Sequence, residues 1–523
     1  MQLRAVIASI GLLAGTLVVL SGNTAQAAST RYEAESSPAV CTGTIDSDWA
    51  GYSGSGFCNG TNGTGAHAQF TVNAAASGTA TLKVRFANGT TTARPADVTV
   101  NGSTATSASF EGTGAWGTWV TKTLTVPVSS GSSTIRFNPT TSAGLPNIDY
   151  LDVEVAGTTP PSGSALYVAP NGSDSAAGTQ SAPTTLTSAI SRVTPGGTIY
   201  LRGGTYSYSQ TVTIPAGNNG TSSARTKLSA YPGETPVLNF SAMIEDPANR
   251  GLALNGSFWH VNGIVVERAG DNGIFVGGSN NIIERTVTRF NRDTGLQLSR
   301  MASTTPREQW PSNNLVLSAE SHDNADSDGE DADGFAAKLT VGPGNVFRYA
   351  VSHHNIDDGW DLYTKPDTGP IGAVTIEDSL SYDNGTLSDG SQAGNGDRNG
   401  FKLGGDDIAV NHVVRRSIAF HNGKHGFTYN SNPGSMTVSD NLSIDNAQRN
   451  FQFDAGTSVF RNNTSCRSSS GTNDRIIGDA DSSNQFWSGT NGSRCASYPG
   501  ALGWSFAADG RLVVTFGGTA VTP

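Results

Sequence analysis

The second half of the chain repeats one pattern of apolar and polar positions every 24–38 residues. In six segments an asparagine is followed by a turn, and the turn by an apolar–any–apolar triplet such as "FKL". An apolar residue also stands eight positions before each asparagine. The aligned asparagines are Asn291, Asn324, Asn355, Asn384, Asn422 and Asn446. Short strands recurring at this length are typical of a stacked β-solenoid. We therefore predict a right-handed parallel β-helix in which these asparagines bond to the turns of adjacent coils.

The segment before these repeats predicts how the β-helix begins. A strand, a Gly/Ser loop, one amphipathic stretch ("TLTSAISRV") and a second strand follow one another from Leu166 onward. The amphipathic stretch predicts a single helix. We expect it to cap the N-terminal end of the solenoid.

The first part of the chain has a different pattern of apolar and polar residues. Short alternating runs such as "ATLKVRFA", "KTLTVPV" and "STIRFNP" are separated by Gly, Asn and Ser. This pattern predicts an antiparallel β-sandwich. A Thr/Pro/Gly/Ser segment then indicates a linker. We assign the sandwich to residues 29–156, the linker to 157–164 and the β-helix to 165–523, which makes the protein all-β.

Residues 1–28 resemble an export signal. Arg4 precedes an apolar core, and "AQAAS" offers a cleavage site near Ala28. No later apolar run is long enough to span a bilayer. We therefore expect a secreted, extracellular protein. Export permits disulfides, and four cysteines form two sequence-local pairs, Cys41–Cys58 and Cys466–Cys495; buried free thiols are the alternative.

Charge narrows the choice of partner. The formal net charge is −11, which argues against nucleic acid and against an anionic membrane as partners. A bound divalent cation can reverse the sign locally, so an anionic ligand stays compatible with this charge. Charged residues make up only 14% of the chain, yet five aspartates crowd into "DADGF" and "IDDGWDL", among them Asp333, Asp357, Asp358 and Asp361.

The register of the repeats predicts where these aspartates lie. The first and third residues of each triplet point inward, so the middle residue faces outward. Asp361 and Lys402 are then outward neighbours on coils roughly 4.8 Å apart. The position before each turn glycine forms a second column, in which Asp333 and Asp358 are neighbours and Asp357 adjoins both.

Carboxylates held this close raise one another's pKa unless a cation binds between them. Oxygen donors without His or Cys suit a hard ion, calcium above magnesium or manganese. We predict a calcium site formed by Asp333, Asp357, Asp358 and Asp361; the alternative is a set of solvated, functionless turns. Longer segments follow Asn324 and Asn384 and predict the walls of a groove. Trp360 and His353 are assigned to inward, core positions.

The motifs "DADGFAAK", "DDGWDL" and "NGFKLGG" resemble those of polysaccharide lyase family 9, the calcium-dependent pectate lyases with a β-helix. The resemblance runs over roughly residues 165–490. It implies that the four aspartates hold calcium and that Lys402 is the catalytic base. Arg398, Asn399 and Lys338 are candidate substrate contacts.

Residues 30–156 resemble a family 35 carbohydrate-binding module, which is related to family 6. The resemblance rests on "YEAE", "AGYSGSGFCNGTN", "RFANGTTTARPADVTVNG" and "NIDYLDVE". It implies a structural calcium and a sugar site in the loops. The implied calcium ligands are Glu33, Glu35 and Asp149, and the implied sugar contacts are Asn88, Arg94 and Asn147.

The expected function is β-elimination of polygalacturonate. A base removes the C5 proton beside the carboxylate, and calcium neutralises that carboxylate. A lysine beside a dication has its pKa lowered, as a neutral base requires. Three alternatives stay open: a lyase for rhamnogalacturonan or another uronic-acid polymer, a polygalacturonase-type hydrolase, and a wall-binding protein without activity. The hydrolase would need a "GHG" motif, and the chain has "KHG" at Lys424–Gly426. We expect a monomer that acts on pectic polysaccharide and binds plant cell-wall carbohydrate.

Overall fold

The computed structural model describes residues 30–74, 78–129, 131–155, 165–392 and 394–522. The predicted signal segment (1–28) and linker (157–164) lie outside them. The chain divides into two compact units, separated within the segment between Val155 and Ala165. Within the described residues, no helix has the length and apolar character needed to cross a bilayer.

The N-terminal unit is the predicted β-sandwich. Its strands alternate buried and partly exposed residues, as in Gly78–Ala87, because one face of each sheet packs into the core. Phe70, Phe110 and Phe137 pack edge to face in that core. The first sheet contains Thr30–Glu33, Gly43–Asp46, Phe57–Gly60, Gly78–Ala87, Val120–Val128 and Asn147–Val155. The second contains Val40–Cys41, Ala68–Ala74, Arg94–Val100, Ser103–Phe110 and Gly131–Pro139.

The C-terminal unit is a parallel β-helix with three long sheets. The site sheet contains Val212–Ile214, Leu252–Leu254, Ile274–Val276, Leu296–Leu298, Phe335–Ala337, Trp360–Asp361, Phe401–Lys402, Phe427–Thr428, Phe451–Phe453 and Arg475–Ile476. The covered sheet contains Gly204–Ser207, Pro236–Asn239, Val265–Glu267, Val287–Arg289, Glu320–His322, Val351–His353, Leu380–Tyr382, Ile418–Phe420, Leu442–Ile444 and Thr464–Cys466. The open sheet contains Ala165–Val168, Thr198–Leu201, Thr226–Ala230, Trp259–Asn262, Ile282–Glu284, Leu315–Leu317, Asn345–Arg348, Val374–Glu377, Val413–Arg415, Thr437–Ser439, Val459–Arg461 and Asp479–Ala480.

A short α-helix, Leu186–Arg192, packs at the N-terminal end of the solenoid, as predicted. The hydroxyl of Thr185 accepts a hydrogen bond from the Ser188 amide and caps the helix. Leu186 and Ile190 are buried in the same core as the first coils. Two 3₁₀ turns, Arg307–Gln309 and Ser493–Ser497, are the other helical elements of the described residues. Both predicted disulfides, Cys41–Cys58 and Cys466–Cys495, are present.

The predicted asparagine ladder is confirmed. In the middle of the column, Asn355 donates from Nδ2 to the Oδ1 of Asn384 at 2.9 Å, and its backbone amide donates to the same atom. Asn324 makes the same pair of bonds to Asn355. These side chains are buried, so each bond satisfies a group that water cannot reach. The ladder therefore fixes the register of successive coils.

The inner core follows from the triplets. Trp360 is fully buried, as predicted, and its ring stacks on Phe401 at 4.8 Å. Phe401 in turn stacks on Phe427 at 4.6 Å. Each inward residue thus contacts its counterpart on the next coil, which no single coil could achieve alone.

The predicted inward orientation of His353 is wrong. It lies in register with Tyr382 and Phe420, as expected, but this column is on the outer face of the covered sheet. The inward position of this strand is the serine at 352. A three-stranded antiparallel sheet packs over the outer face and contributes Trp504, whose ring is 6.1 Å from that of His353. Its strands are Leu502–Phe506, Leu512–Phe516 and Thr519–Val521. Because the covered sheet is packed on both faces from Val351–His353 to Thr464–Cys466, apolar residues in these strands do not mark its inner face.

Candidate active site

The two predicted columns are present on the site sheet. Asp361 pairs in register with Ala336 on one side and with Lys402 on the other. In the turn column, the Gly334 amide donates to the backbone oxygen of Asp358, which places Asp333 and Asp358 on successive coils. Parallel pairing and the asparagine ladder thus bring together residues that are far apart in sequence.

Asp333, Asp357 and Asp358 form a compact acidic group. One carboxylate oxygen of each lies within 4.8 Å of the others, and all three side chains are buried. The Asn399 side chain holds Asp358 through a 2.9 Å bond to Oδ1. Asp357 accepts hydrogen bonds from the amides of Asp397 and Arg398. The surrounding backbone therefore orients these carboxylates before any ligand binds.

The electrostatics of this group fit a cation. Burial, together with the neighbouring carboxylates, raises the pKa of Asp333 and Asp357 well above the ordinary aspartate value. Burial raises the pKa of Asp358 to about 6, even though Lys402 opposes the shift. Asp361 Oδ1 is buried without a hydrogen-bond partner, and the buried Asp358 Oδ2 is paired with the Lys402 ammonium rather than with a neutral donor. Buried, oxygen-only ligands of this kind, one of them an unpartnered oxygen, could hold a hard divalent ion.

Lys402 lies against the carboxylates. Its Nζ is 3.1 Å from Asp358 Oδ2, 3.1 Å from Asp397 Oδ2 and 3.8 Å from Asp361 Oδ2. The residue is only 9% exposed, so it faces outward from its coil but is covered by neighbouring segments, which the sequence did not predict. Burial opposes the charged ammonium, but the carboxylates outweigh burial and raise the Lys402 pKa. The lowered pKa expected beside a dication is therefore opposite in direction to the shift produced by the protein alone.

Lys338 is the second lysine of the site. It donates to Asp333 Oδ2 at 2.7 Å and lies 3.4 Å from Asp361 Oδ2. Asp361 therefore stands between two ammonium groups rather than within the compact acidic group. Lys338 lines the groove, so it is available to a ligand from that side.

Arg398 and Asn399 occupy supporting positions. Asn399 is buried, and its side chain is bonded to Asp358 and to the His425 amide. The Arg398 side chain packs against Gly385 and Gly423, away from the groove. In this geometry both residues hold the acidic group, and neither offers its side chain to the groove.

A polar groove of about 460 Å³ opens over Lys402 and Lys338. Its walls include Glu330 and Asp331 from the first long segment and Asp397 from the second. Both predicted insertions therefore line the groove. Asp397 was not predicted, because an insertion has no repeat register. Its position five residues before Lys402 was the available signal.

In the N-terminal unit, the three predicted calcium ligands surround one loop. Ser53 donates from Oγ to Glu33 Oε2 at 2.7 Å and from its amide to Asp149 Oδ1 at 3.0 Å. The Ser55 amide donates to Glu35 Oε1 at 2.8 Å, while Glu35 Oε2 is buried without a hydrogen-bond partner. Burial raises the pKa of Asp149 to about 6. In the described part of the chain, these carboxylates do not form a group as tight as that of Asp333.

The predicted sugar contacts of this unit are mostly enclosed. Asn88 is fully buried, and its amide is bonded within its own loop and to the Phe110 carbonyl, so the structure does not support a direct sugar contact from it. Arg94 is buried and donates to three oxygens, including the Leu145 carbonyl at 2.8 Å. Its guanidinium lies 5.2 Å from the ring of Trp116. Asn147 is buried at the start of its strand.

Comparisons with known proteins agree with this architecture. Residues 166–464 match a family model described as "Pel9A-like, right handed beta helix region", and residues 34–155 match "Carbohydrate binding module (family 6)". The first match confirms the right-handed β-helix.

Two curated proteins and one solved structure extend the comparison. The chain is 56% identical over 351 residues to "Pectate lyase L" of Paenibacillus polymyxa (strain SC2), an alignment that covers 67% of this chain and 78% of that protein. It is 38% identical over 329 residues to "Pectate disaccharide-lyase" of Dickeya chrysanthemi, covering 61% of this chain and 40% of that protein. The crystal structure of pectate lyase Pel9A superposes with a TM-score of 0.55 at 33% identity, covering 66% of this chain and 86% of that one.

Proposed function

Because the chain belongs to the Pel9A-like β-helix family and is a polysaccharide lyase of the pectate lyase type with a carbohydrate-binding module, we propose that it cleaves polygalacturonate by calcium-assisted β-elimination with Lys402 as the base. The observation that carries the proposal is the contact of Lys402 Nζ with the aspartates at the floor of the groove. The hydrolase and the inactive wall-binding protein are set aside with this identification.

The cation site of the proposal consists of Asp333, Asp357, Asp358 and Asp361. Its support is the oxygen-only set of ligands, its burial, and the unpartnered oxygen of Asp361. When bound, calcium offsets the charge of the substrate carboxylate and of these aspartates, which lowers the pKa of Lys402 and acidifies the C5 proton.

The chain's own residues supply the remaining chemistry. Neutral Lys402 accepts the C5 proton through Nζ, the C5–H electron pair forms the C4–C5 double bond, and the C4–O bond breaks with its pair leaving on oxygen. Lys338, on the groove side of Asp333, is suited to pair with a uronate carboxylate. Asn399 holds Asp358 and so keeps the acidic group in register with Lys402.

We also propose that the protein is exported through residues 1–28 and acts as a monomer in the extracellular space. The N-terminal unit would be a family 35 module that holds calcium through Glu33, Glu35 and Asp149 and binds wall carbohydrate beside Arg94 and Asn147. The buried, unpartnered Glu35 Oε2 supports the calcium and the Arg94–Trp116 contact supports the sugar site.

The test is an ultraviolet assay for unsaturated uronate on polygalacturonate, with calcium and with a chelator. Unsaturated product should form with calcium and stop with the chelator. The same assay on rhamnogalacturonan is the comparison. Faster elimination of rhamnogalacturonan, or undiminished activity in the chelator, would overturn the substrate or the cation, respectively.

A further inference from the structure

Asp397 lies at the end of the long segment between Asn384 and Gly400 and makes contacts in three directions. Its Oδ2 is 3.1 Å from Lys402 Nζ. Its Oδ1 accepts a 2.5 Å hydrogen bond from Lys424, on the next coil. Its backbone amide donates to Asp357.

The Asp397 carboxylate is therefore held between two lysines, Lys402 at Oδ2 and Lys424 at Oδ1. The Lys424 backbone amide donates to the Arg398 carbonyl at 2.9 Å, so Lys424 is itself tied to the segment that carries Asp397. Lys402, by contrast, has a long, flexible side chain whose position must be imposed by its partners. Among the ion pairs of the described residues, Asp397 is the one partner of Lys402 within 3.1 Å that lies outside the four proposed cation ligands.

We infer that Asp397 is a positioning residue for the general base: it holds Lys402 Nζ toward the substrate C5 and pairs with the ammonium that forms when the proton is taken. The inference rests on the proposed role of Lys402. A base oriented by a third group is a recurring arrangement in enzymes that transfer protons. The electron balance is that of the proposed step, since Asp397 neither gains nor loses a proton.

The distinguishing property of a positioning residue is a selective loss of turnover. Because Asp397 acts through Lys402 rather than on the bound sugar, Asp397→Asn should lower kcat by about 10- to 100-fold while KM stays within about twofold. Asp397→Glu keeps the charge and should recover part of the loss. Lys424→Met removes the outer anchor and should cause a smaller loss of the same kind.

The matched control is Asp389→Asn, because Asp389 lies in the same segment, is exposed, and accepts a hydrogen bond from the nearby Ser391 amide. It should leave kcat unchanged. Melting temperature in chelator and calcium affinity by titration calorimetry should remain close to wild type for Asp397→Asn. A variant with normal kcat would overturn the inference, as would one whose KM and calcium affinity change as much as kcat.

The inference and the proposed function fail differently. Lys402→Ala, measured in parallel, tests the base itself. If that variant stays active, the assignment of Lys402 as the base is wrong, and so is the positioning role of Asp397. If it is inactive while Asp397→Asn turns over normally, only the role of Asp397 is wrong.

Discussion

Asp361 and Lys402 stand at the same register position on consecutive coils, with carboxylate oxygen and ammonium nitrogen 3.8 Å apart. The ladder asparagines of these coils and the next are bonded directly to one another, Asn355 to Asn384 and Asn384 to Asn422. The long segment after Asn384 therefore leaves the pairing of the two strands unchanged. The backbone position of Lys402 relative to that of Asp361 is therefore set by the stacking of the coils.

Lys402→Ala should reduce kcat by roughly 10²–10⁴, the usual contribution of a positioned general base. Lys402→Arg should recover little, because a guanidinium stays protonated at neutral pH. Burial adds a second effect, since the loss of a buried ammonium leaves Asp358 without its ionic partner. The Ala variant should thus melt earlier than wild type in chelator and approach it in calcium. Near-normal turnover with calcium bound would redirect the search for the base to Lys338.

Asp358→Asn should weaken calcium binding and lose most activity at limiting calcium. One neutral amide replaces a donor whose Oδ2 has no protein hydrogen bond, so a cation loses charge as well as a ligand. Activity should return in part at high calcium, as mass action predicts. Initial rates across a calcium titration measure this, with Asp389→Asn as the control of equal chemical change. A calcium requirement equal to that of wild type would remove Asp358 from the site.

His412 should make the β-helix sensitive to acid. It is fully buried beside the open sheet, where its Nδ1 accepts the Val374 amide at 3.1 Å, and burial lowers its pKa from 6.5 to about 3. As pH falls from 6.5 toward 3, His412 therefore becomes protonated in the unfolded chain but stays neutral in the folded chain. This difference lowers the free energy of unfolding by up to about 1.4 kcal/mol for each pH unit in that window. Above pH 6.5 the term vanishes.

His412→Asn is the matched variant for this term, because Asn314 and Asn345 fill the same position on earlier coils and accept the same kind of amide. Its stability should fall less steeply with acid than that of wild type. Urea unfolding at several pH values gives the two slopes. Parallel slopes would show that His412 does not titrate on unfolding.

Deleting residues 29–157 should leave activity on soluble pectate and reduce it on intact plant walls. The site sheet and its groove are built wholly from the C-terminal unit, so catalysis does not require the module. The isolated module should bind a uronic-acid sugar in calcium, and Glu35→Gln should weaken that binding. If the full chain and the deletion variant show equal activity on both soluble and wall-bound substrate, the module acts only as a spacer.

The repeat made much of this fold predictable from sequence. A solenoid has translational order, so one correct alignment on Asn355 and its equivalents sets the neighbours of every strand residue. The Asp361–Lys402 pair followed from that alignment and from the alternation of side chains along a strand. The same reasoning located the buried Trp360.

The parts that repetition does not govern escaped prediction. Asp397 lies in a segment with no counterpart on other coils, so no register could assign its contact with Lys402. The C-terminal antiparallel sheet has no repeat, and its packing against His353 buries a face that would otherwise be solvated. The net effect of burial and of the neighbouring carboxylates on the pKa of Lys402 also depends on distances that a one-dimensional pattern does not contain.

The strands that carry Asp361 and Lys402 are the sixth and seventh of ten in the site sheet. Each coil is stabilised by its immediate neighbours, so partial melting should start at the ends of the stack and travel inward. The coils that carry the proposed base and cation ligands should then be the last to melt. On heating, circular dichroism should report lost strand structure before turnover declines, and the enzyme should keep working with frayed ends.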